Sequence, residues 1–445
     1  MTTATPRRIL ILGSGAREHA MAWRLAAEPG VERVTVAPGN PGMAEPPTDS
    51  LDLVPGVEAA DVGAVVRLAR ELRPDLIVSG PEAPLVAGVA DALTAAGFTA
   101  LGPGAAGARL EASKAATRDI ATAAGVVMAA GAAFEAVAPA LAFAAGRDWQ
   151  VVVKADGLAA GKGVTACHDE ATVSEALREA LVEHRFGAAG ARVVVEERLA
   201  GPEASVMALC DETAVLALPA ARDHKRLEDG DEGPTTGGMG AYSPLPDLDE
   251  AAVEDLLDTV HAPVLAEASR RGIPFRGVLY AGLMLTDRGP RLLEFNVRLG
   301  DPEAQAVLPR LAVPLGPLLA AAAGGHLAAA AARLGLAPRA VLPAAPQACA
   351  AVVLAAAGYP ARPRGGDPIG GLADARAAGG LVFTAGVAGA AGGLRTAGGR
   401  VLTVVGRGHD PAAAADAAYA AAGHVAFAGA HLRRDIGRVS AGVGG

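Results

Sequence analysis

Short apolar runs, each closed by a glycine-rich turn and followed by helix-patterned sequence, set the rhythm of the N-terminal part of the chain. RILILG at 8–13 predicts a strand that runs into a turn and a helix over about 17–27. A second strand is predicted at 31–36, ending in Pro38-Gly39-Asn40-Pro41-Gly42. Helical pattern at 61–72 leads to a strand at 75–79, then Gly80-Pro81-Glu82, and a further helix over 83–96. This alternation predicts a doubly wound parallel α/β unit over 1–108.

The middle of the chain has a different pattern. Strands predicted at 150–154 and 164–167 flank a glycine-rich loop, which is a hairpin pattern and not a crossover. A helix at about 171–183 and strands at 192–196 and 205–210 follow. A polar loop over 222–244, without apolar periodicity, precedes a helix at about 249–271 and strands at 277–286 and 291–297. These elements predict an α+β domain over 109–328 with a mobile subdomain at about 124–195. Beyond 329 the chain turns alanine-rich. Strands at 348–354, 381–385 and 400–405 and a helix at 411–422 predict a small C-terminal α+β domain over 329–445.

Composition narrows the function. A net charge of −9 gives no basic footprint, so no nucleic acid partner is expected. The apolar run Ile9 to Leu12 is too short for a signal peptide or a membrane span. Cys167, Cys210 and Cys349 lie far apart, without a CxxC pair. A soluble, cytoplasmic, monomeric protein is expected. Lysine stands only at 114, 154, 162 and 225 among 39 basic residues, and asparagine only at 40 and 296. A chain that uses arginine nearly everywhere is expected to keep lysine where a compact point charge is needed, since the planar guanidinium does not replace it at a phosphate.

The candidate chemistry falls into the same segments. Gly13-Ser14-Gly15-Ala16-Arg17-Glu18-His19 sits at a strand-to-helix turn that can hold an anion. It is not a dinucleotide fingerprint: Glu18 takes the third glycine position, and the second strand ends in Ala37-Pro38, not in an acid. Lys154-Ala-Asp-Gly-Leu-Ala-Ala-Gly-Lys-Gly163 is similar to a P-loop but lacks its spacing and its Ser/Thr. Such a loop can close over phosphates while its lysines neutralise charge. After the strand ending at Glu196, an edge backbone can pair with an adenine, and Glu203 can accept from ribose hydroxyls. Glu294 and Asn296 are two apart on a strand, so both oxygens face one way, as Mg²⁺ requires. Arg298 continues on that face, and Asp301 follows a glycine turn.

GSGAREHA, VAPGNPG, VSGPEAPL, KADGLAAGKG, DHKR, GPTTGGMGAYSP and LEFNVRLGDPE, with GYP at 358–360 and RRDIG at 433–437, occur in this order. Together they resemble the phosphoribosylamine–glycine ligases, an ATP-grasp family. The resemblance implies an N-terminal α/β domain, a central ATP-grasp domain with a mobile lid, and a small C-terminal domain. It implies ADP-forming ligation of glycine to phosphoribosylamine in purine biosynthesis, with ATP as a substrate and Mg²⁺ or Mn²⁺ as cofactor. By the same resemblance, ATP meets Lys114, Lys154, Gly157, Gly161, Lys162, Gly163, Glu196, Glu197, Leu199 and Glu203. Glu294 and Asn296 hold the metal. Arg298, Gly300, Asp301, Asp223 and Lys225 face glycine and the transferred phosphate. Gly13, Gly15, Gly39, Asn40, Gly42, Gly80, Pro81 and Glu82 contact phosphoribosylamine. Catalysis is assigned to Lys154, Arg298, Asp223 and Lys225. The sequence departs from the family at Ala16, Val297 and Leu299. The strand through 279–285 also carries no acid, so metal binding is expected to lean on Glu294, Asn296, phosphate oxygens and water. Another ATP-grasp carboxylate–amine ligase, or a non-catalytic nucleotide-binding protein on the same fold, is the alternative.

Overall fold

A computed structural model describes residues 5–45, 49–159 and 163–438. Strand β1 (Arg8–Gly13) is buried from Ile9 onward, as the apolar run requires of a strand covered on both faces. It pairs in parallel with β2 (Arg33–Pro38) on one side and β4 (Leu76–Ser79) on the other, and β3 (Leu51–Leu53) and β5 (Ala100–Leu101) complete the order β3-β2-β1-β4-β5. Helix α1 (Ala16–Ala26) packs its buried face beneath this sheet. The helix expected over 83–96 is broken into Glu82–Val86 and Val89–Ala95 at Gly88, whose φ of 84° leaves the helical region.

The central sheet runs Gly289–Asn296, Gly277–Thr286, Glu203–Cys210, Val215–Ala217 and Arg339–Val341. Its last member pairs with Val215–Ala217, so the chain is still in the central sheet beyond 329. A separate antiparallel sheet, β6 (Gly131–Phe134), β7 (Val151–Ala155), β8 (Val164–Cys167) and β9 (Val193–Glu197), is ordered β6-β9-β7-β8. It has its own core of Ala140, Val151, Val153, Leu177, Val193 and Val195. A subdomain with a private core and few shared contacts is the kind of unit that can open independently.

The stretch 222–244, expected as a loop without structure, is largely strand. Arg222–Asp223 and Gly240–Ser243 pair with each other, and the second of them pairs with Ala348–Ala355 of the C-terminal sheet. Between them Arg226–Glu228 and Glu232–Thr235 form a hairpin. Its order comes from partners more than a hundred residues away in sequence, which no local apolar pattern reveals.

The N-terminal and C-terminal units meet at Asn40. Its amide donates to Ser14 O (2.8 Å) and Thr384 O (3.0 Å), and its oxygen accepts from Gly42 N (3.0 Å) and the Thr384 hydroxyl (2.7 Å). All of its hydrogen-bonding capacity is therefore taken by protein. Beside it, His19 Nδ1 accepts from Thr384 N at 2.9 Å. Burial, reinforced by the charge of Arg376, pushes the His19 pKa down to about 3. Unfolded, the ring titrates near 6.5, so below that pH the unfolded chain binds a proton that the folded chain refuses. Stability contributed by this residue therefore falls as the pH drops from about 6.5 to 3, by roughly 2 kcal/mol at pH 5. His19→Gln is expected to be less stable at pH 7 but flatter from pH 6.5 to 4 in urea unfolding. Comparing the two proteins isolates His19 from Asp223, whose buried carboxyl titrates in the opposite sense. Parallel curves for the two proteins would rule this account out.

Candidate active site

In the N-terminal sheet the strand order reverses at β1, with β2 and β3 on one side and β4 and β5 on the other. The crevice at the carboxyl ends of such strands is where open α/β sheets bind ligands. Gly13 lies opposite Pro38 and Leu12 opposite Ser79, so the turns at 13–15, 39–42 and 80–82 converge on one edge. Glu18 fills the space between two of them. Its carboxylate accepts from Gly15 N (2.5 Å) and from Arg17 (2.6 Å), and a Cβ on Gly80 would stand 2.0 Å from it. The acid that breaks the dinucleotide pattern thus occupies the turn, and Gly13, Gly15 and Gly80 are small because Glu18 needs their room. Gly42 is held the same way, since a Cβ there would meet Thr384 at 2.6 Å. Gly39 has φ +65°. Ala16, the departure in this turn, simply opens α1.

Lys154 lies at the end of β7, 8% exposed, with its ammonium 2.6 Å from Glu196 and 3.2 Å from Leu293 O. Leu293 sits where the register between Gly277–Thr286 and Gly289–Asn296 shifts, and bulges of this kind re-aim side chains next to active sites. Glu196 stands differently from expectation. Strand β9 is interior, with Glu196 facing Gly131 on one side and Val152 on the other. Its backbone is therefore not an edge for adenine. The ladder ends with Arg198 N donating to Gln150 O at 3.0 Å, and Leu199 is the first residue beyond it. Glu197 accepts from Ala130 N at 2.9 Å. Lys114 opens the helix Lys114–Ala123, capped by Ser113. Asp156, overlooked in the sequence, ties that helix start to β7 through Ser113, Ala115 N and Arg192. Gly157 N donates to Ala189 O, and Gly163 O accepts from Ala155 N. Gly161 and Lys162 lie outside the described residues.

Glu294, Asn296 and Arg298 are half-buried, while Phe295, Val297 and Leu299, which alternate with them, are buried. The first three therefore share a face, and the departures Val297 and Leu299 are packing positions. Burial works against the charge on Glu294. Lys225, Lys114, Lys154 and Arg298 overcome it and lower the pKa of its carboxyl. The charges of all three lysines among the described residues thus act on one carboxylate. Lys225 stands 2.5 Å from Glu203 and 3.5 Å from Asp223. Although burial disfavours its charge, Asp223 and Glu203 raise its pKa well above the ordinary lysine value. Asp223 Oδ1 is buried with no hydrogen-bond partner among the described residues, and burial pushes the Asp223 pKa up. Glu203 is thus engaged by Lys225 in this arrangement.

Arg298 is held between Glu111 (2.8 Å) and Glu82 (3.4 Å), which links the central strand to the N-terminal turn. Asp301 accepts from Gln305 at 2.7 Å and pairs with Arg400 at 2.9 Å. Beneath Gly300, Glu303 accepts from Tyr280 (2.8 Å) and Ser205 (3.2 Å). Sequence reasoning missed Glu111, Glu303 and Arg400. Glu303 was within reach, as the last residue of GDPE, whereas nothing local marks Arg400 on its distant strand. Among the described residues, no three His, Cys, Asp or Glu side chains form a metal cage. A pair of half-buried oxygen ligands, one of them ionised, fits a hard cation that takes its other ligands from phosphate and water.

Three family matches follow one another along the chain: phosphoribosylglycinamide synthetase N domain over 7–111, ATP-grasp (A) domain over 112–304 and C domain over 349–439. The chain belongs to the phosphoribosylglycinamide synthetase family. It is 46% identical over 430 residues to a phosphoribosylamine–glycine ligase of Phenylobacterium zucineum, covering 96% of this chain and 98% of that protein. Its likeness to the Streptomyces coelicolor ligase is 45% over 440 residues, covering 98% and 100%. The solved Thermotoga maritima phosphoribosylamine–glycine ligase superposes with a TM-score of 0.80 at 32% identity, covering 96% of this chain and 99% of that one. A biotin carboxylase domain from Hydrogenobacter thermophilus, solved with MgADP and bicarbonate, gives 0.70 at 14% identity over 96% and 92%. At that identity the likeness is one of fold alone. The synthetase family's three-domain, ATP-grasp architecture is thus the architecture of this chain.

Proposed function

We propose that the chain joins glycine to 5-phosphoribosylamine, giving glycinamide ribonucleotide, ADP and phosphate, in purine biosynthesis. The observation that carries this reading is the likeness to phosphoribosylamine–glycine ligases over 96% of the chain, with the charges of Lys114, Lys154 and Lys225 all acting on the Glu294 carboxylate. Lys114, Lys154 and the loop from Gly157 to Gly163 serve the ATP phosphates, and the residues after β9 take the adenine. Glu294 and Asn296 would hold Mg²⁺ or Mn²⁺, which when bound neutralises phosphate charge. Arg298, Lys225 and Asp223 serve the glycine and phosphate end. The turns at 13–15, 39–42 and 80–82, with Glu82, serve phosphoribosylamine, Asn40 acting there as a brace and not as a direct contact.

A carboxylate is a poor electrophile because oxide is a poor leaving group. One glycine carboxylate oxygen attacks the γ-phosphorus, the bond to ADP breaks, and glycyl phosphate forms. The phosphoribosylamine nitrogen then attacks the carbonyl carbon, loses a proton, and phosphate departs. In-line transfer of this kind needs positioning and charge neutralisation above all, which the lysines and Arg298 supply. The acyl phosphate hydrolyses in water, so a lid made by β6–β9 would protect it. No described helix is long and apolar enough to cross a membrane, and we place the enzyme in the cytoplasm as a monomer. ADP release should require both glycine and phosphoribosylamine. Equal release with another amino acid, or with the amine omitted, would overturn the assignment.

A further inference from the structure

We propose that Arg433 and Asp435 are positioning residues, which clamp the hairpin over 226–235 and thereby set the position of Asp223 and Lys225. The proposal rests on the reading of Lys225 as part of the active site.

The hairpin does not order itself. Its strands are Arg226–Glu228 and Glu232–Thr235, with a register shift between Arg226 and Glu228. Every residue from Glu228 to Pro234 is exposed. Its turn carries φ of 72° at Gly230 and 61° at Asp231. An isolated two-stranded hairpin is marginal in water even with an apolar face, and this one has none. Its order must come from outside.

The C-terminal segment provides it. Arg433 is 1% exposed although it carries a charge. Its guanidinium donates to Arg226 O (3.1 Å) and Asp231 (3.1 Å), and by two further N–H groups to Asp435 (2.8 and 2.6 Å). Asp435 in turn accepts from Gly230 N at 2.9 Å, and Arg434 N donates to Asp229 at 2.6 Å. The neighbouring Ile436 N donates to the Tyr419 hydroxyl at 2.9 Å, which anchors the segment on the helix Pro411–Ala422. A buried fork that satisfies one carbonyl and two carboxylates is a role that lysine cannot take over.

The clamp reaches the chemistry through one residue of backbone. Arg226, whose carbonyl Arg433 holds, is bonded to Lys225 through its own N–H. The Lys225 carbonyl accepts from Thr236 N (2.7 Å) and the Thr236 hydroxyl (2.9 Å) on the opposite arm. That arm is fastened by Gly237 N donating to the Tyr359 hydroxyl (3.0 Å) and by Arg400 donating to Gly237 O (2.7 Å). Asp223, at the root, pairs with Ala241. The RRDIG and GYP segments, which have no place in the nucleotide or metal site, both act on this hairpin. Releasing the clamp should act less on ATP than on glycine, because Lys154, Glu196 and Lys114 belong to other elements and only Glu203, which Lys225 engages, connects the hairpin to the nucleotide side.

Two changes test this against Lys225→Met as a reference: Arg433→Lys, and the double change Asp229→Ala with Asp231→Ala at the exposed tip, where the core is untouched. We expect both to lower kcat and raise the KM for glycine, together by roughly tenfold or more in kcat/KM, while the KM for ATP rises by much less than the KM for glycine. Wild-type values for both variants, with Lys225→Met inactive, would overturn the clamp and leave the active-site reading standing. A parallel rise in both KM values would also overturn it, as general loss of structure. Wild-type turnover by Lys225→Met would remove the reading beneath it and the proposal with it.

Discussion

Exchanging Glu294 for glutamine is expected to remove most metal-dependent turnover while the fold survives. The two side chains have nearly the same shape, so packing against Gly282 across the strand pair is kept. What changes is charge. Lys225, Lys114, Lys154 and Arg298 all act on this carboxylate and keep it ionised against burial. A neutral amide leaves those cations facing one another and offers a metal one weak oxygen where it had a charged one. Loss of groups that only support a metal ligand commonly costs about 10- to 100-fold in affinity or activity, and loss of a ligand should cost at least the upper figure. The site is half-buried, so melting should shift by no more than a few degrees. ADP release measured across a magnesium titration decides it. Unchanged activity at every magnesium concentration would take this strand out of the metal site.

The parts of the fold that sequence reveals are those set by short-range pattern. β1, β8 and the helix Pro411–Ala422 lie where apolar runs, hairpin spacing and an Asp-Pro helix start put them. The pair Glu294 and Asn296 was legible because a strand alternates its faces, whatever surrounds it. What escaped depends on residues distant in sequence. The stretch 222–244 has no apolar rhythm because its strands are ordered by Ala348–Ala355 and by Arg433. Glu196 lies on an interior strand because β6 docks on β9 from the N-terminal side of the same subdomain. Asn40 has a ligand-like setting in sequence, within a glycine turn, yet Thr384 of the C-terminal sheet takes its amide. Sequence spacing gives the type of a polar side chain, but its free valences are counted only when every neighbour is in place.

The scarcity of lysine leads to a separate expectation, independent of family likeness. If arginine has replaced lysine wherever it serves, Lys154→Arg should be poorly tolerated although the charge is kept. Lys154 is 8% exposed, and its ammonium is fixed between Glu196 and Leu293 O. A guanidinium is longer and planar. In that enclosed position it would either abandon Glu196 or push into the space meant for phosphate. Misplacing a reacting group by about 1 Å can cost on the order of a hundredfold in rate. A loss of that order in kcat is therefore expected, with little change in melting temperature because the charge pair with Glu196 can re-form. Arg70→Lys, on the exposed face of the helix Val62–Leu72, is the control and should be nearly silent. It reverses the same chemical exchange where no ligand is at stake. Near wild-type turnover by Lys154→Arg would make the surviving lysines an accident of composition. The family assignment and the proposed metal site would stand without them, but the reason offered for Lys114 and Lys225 would fall with Lys154.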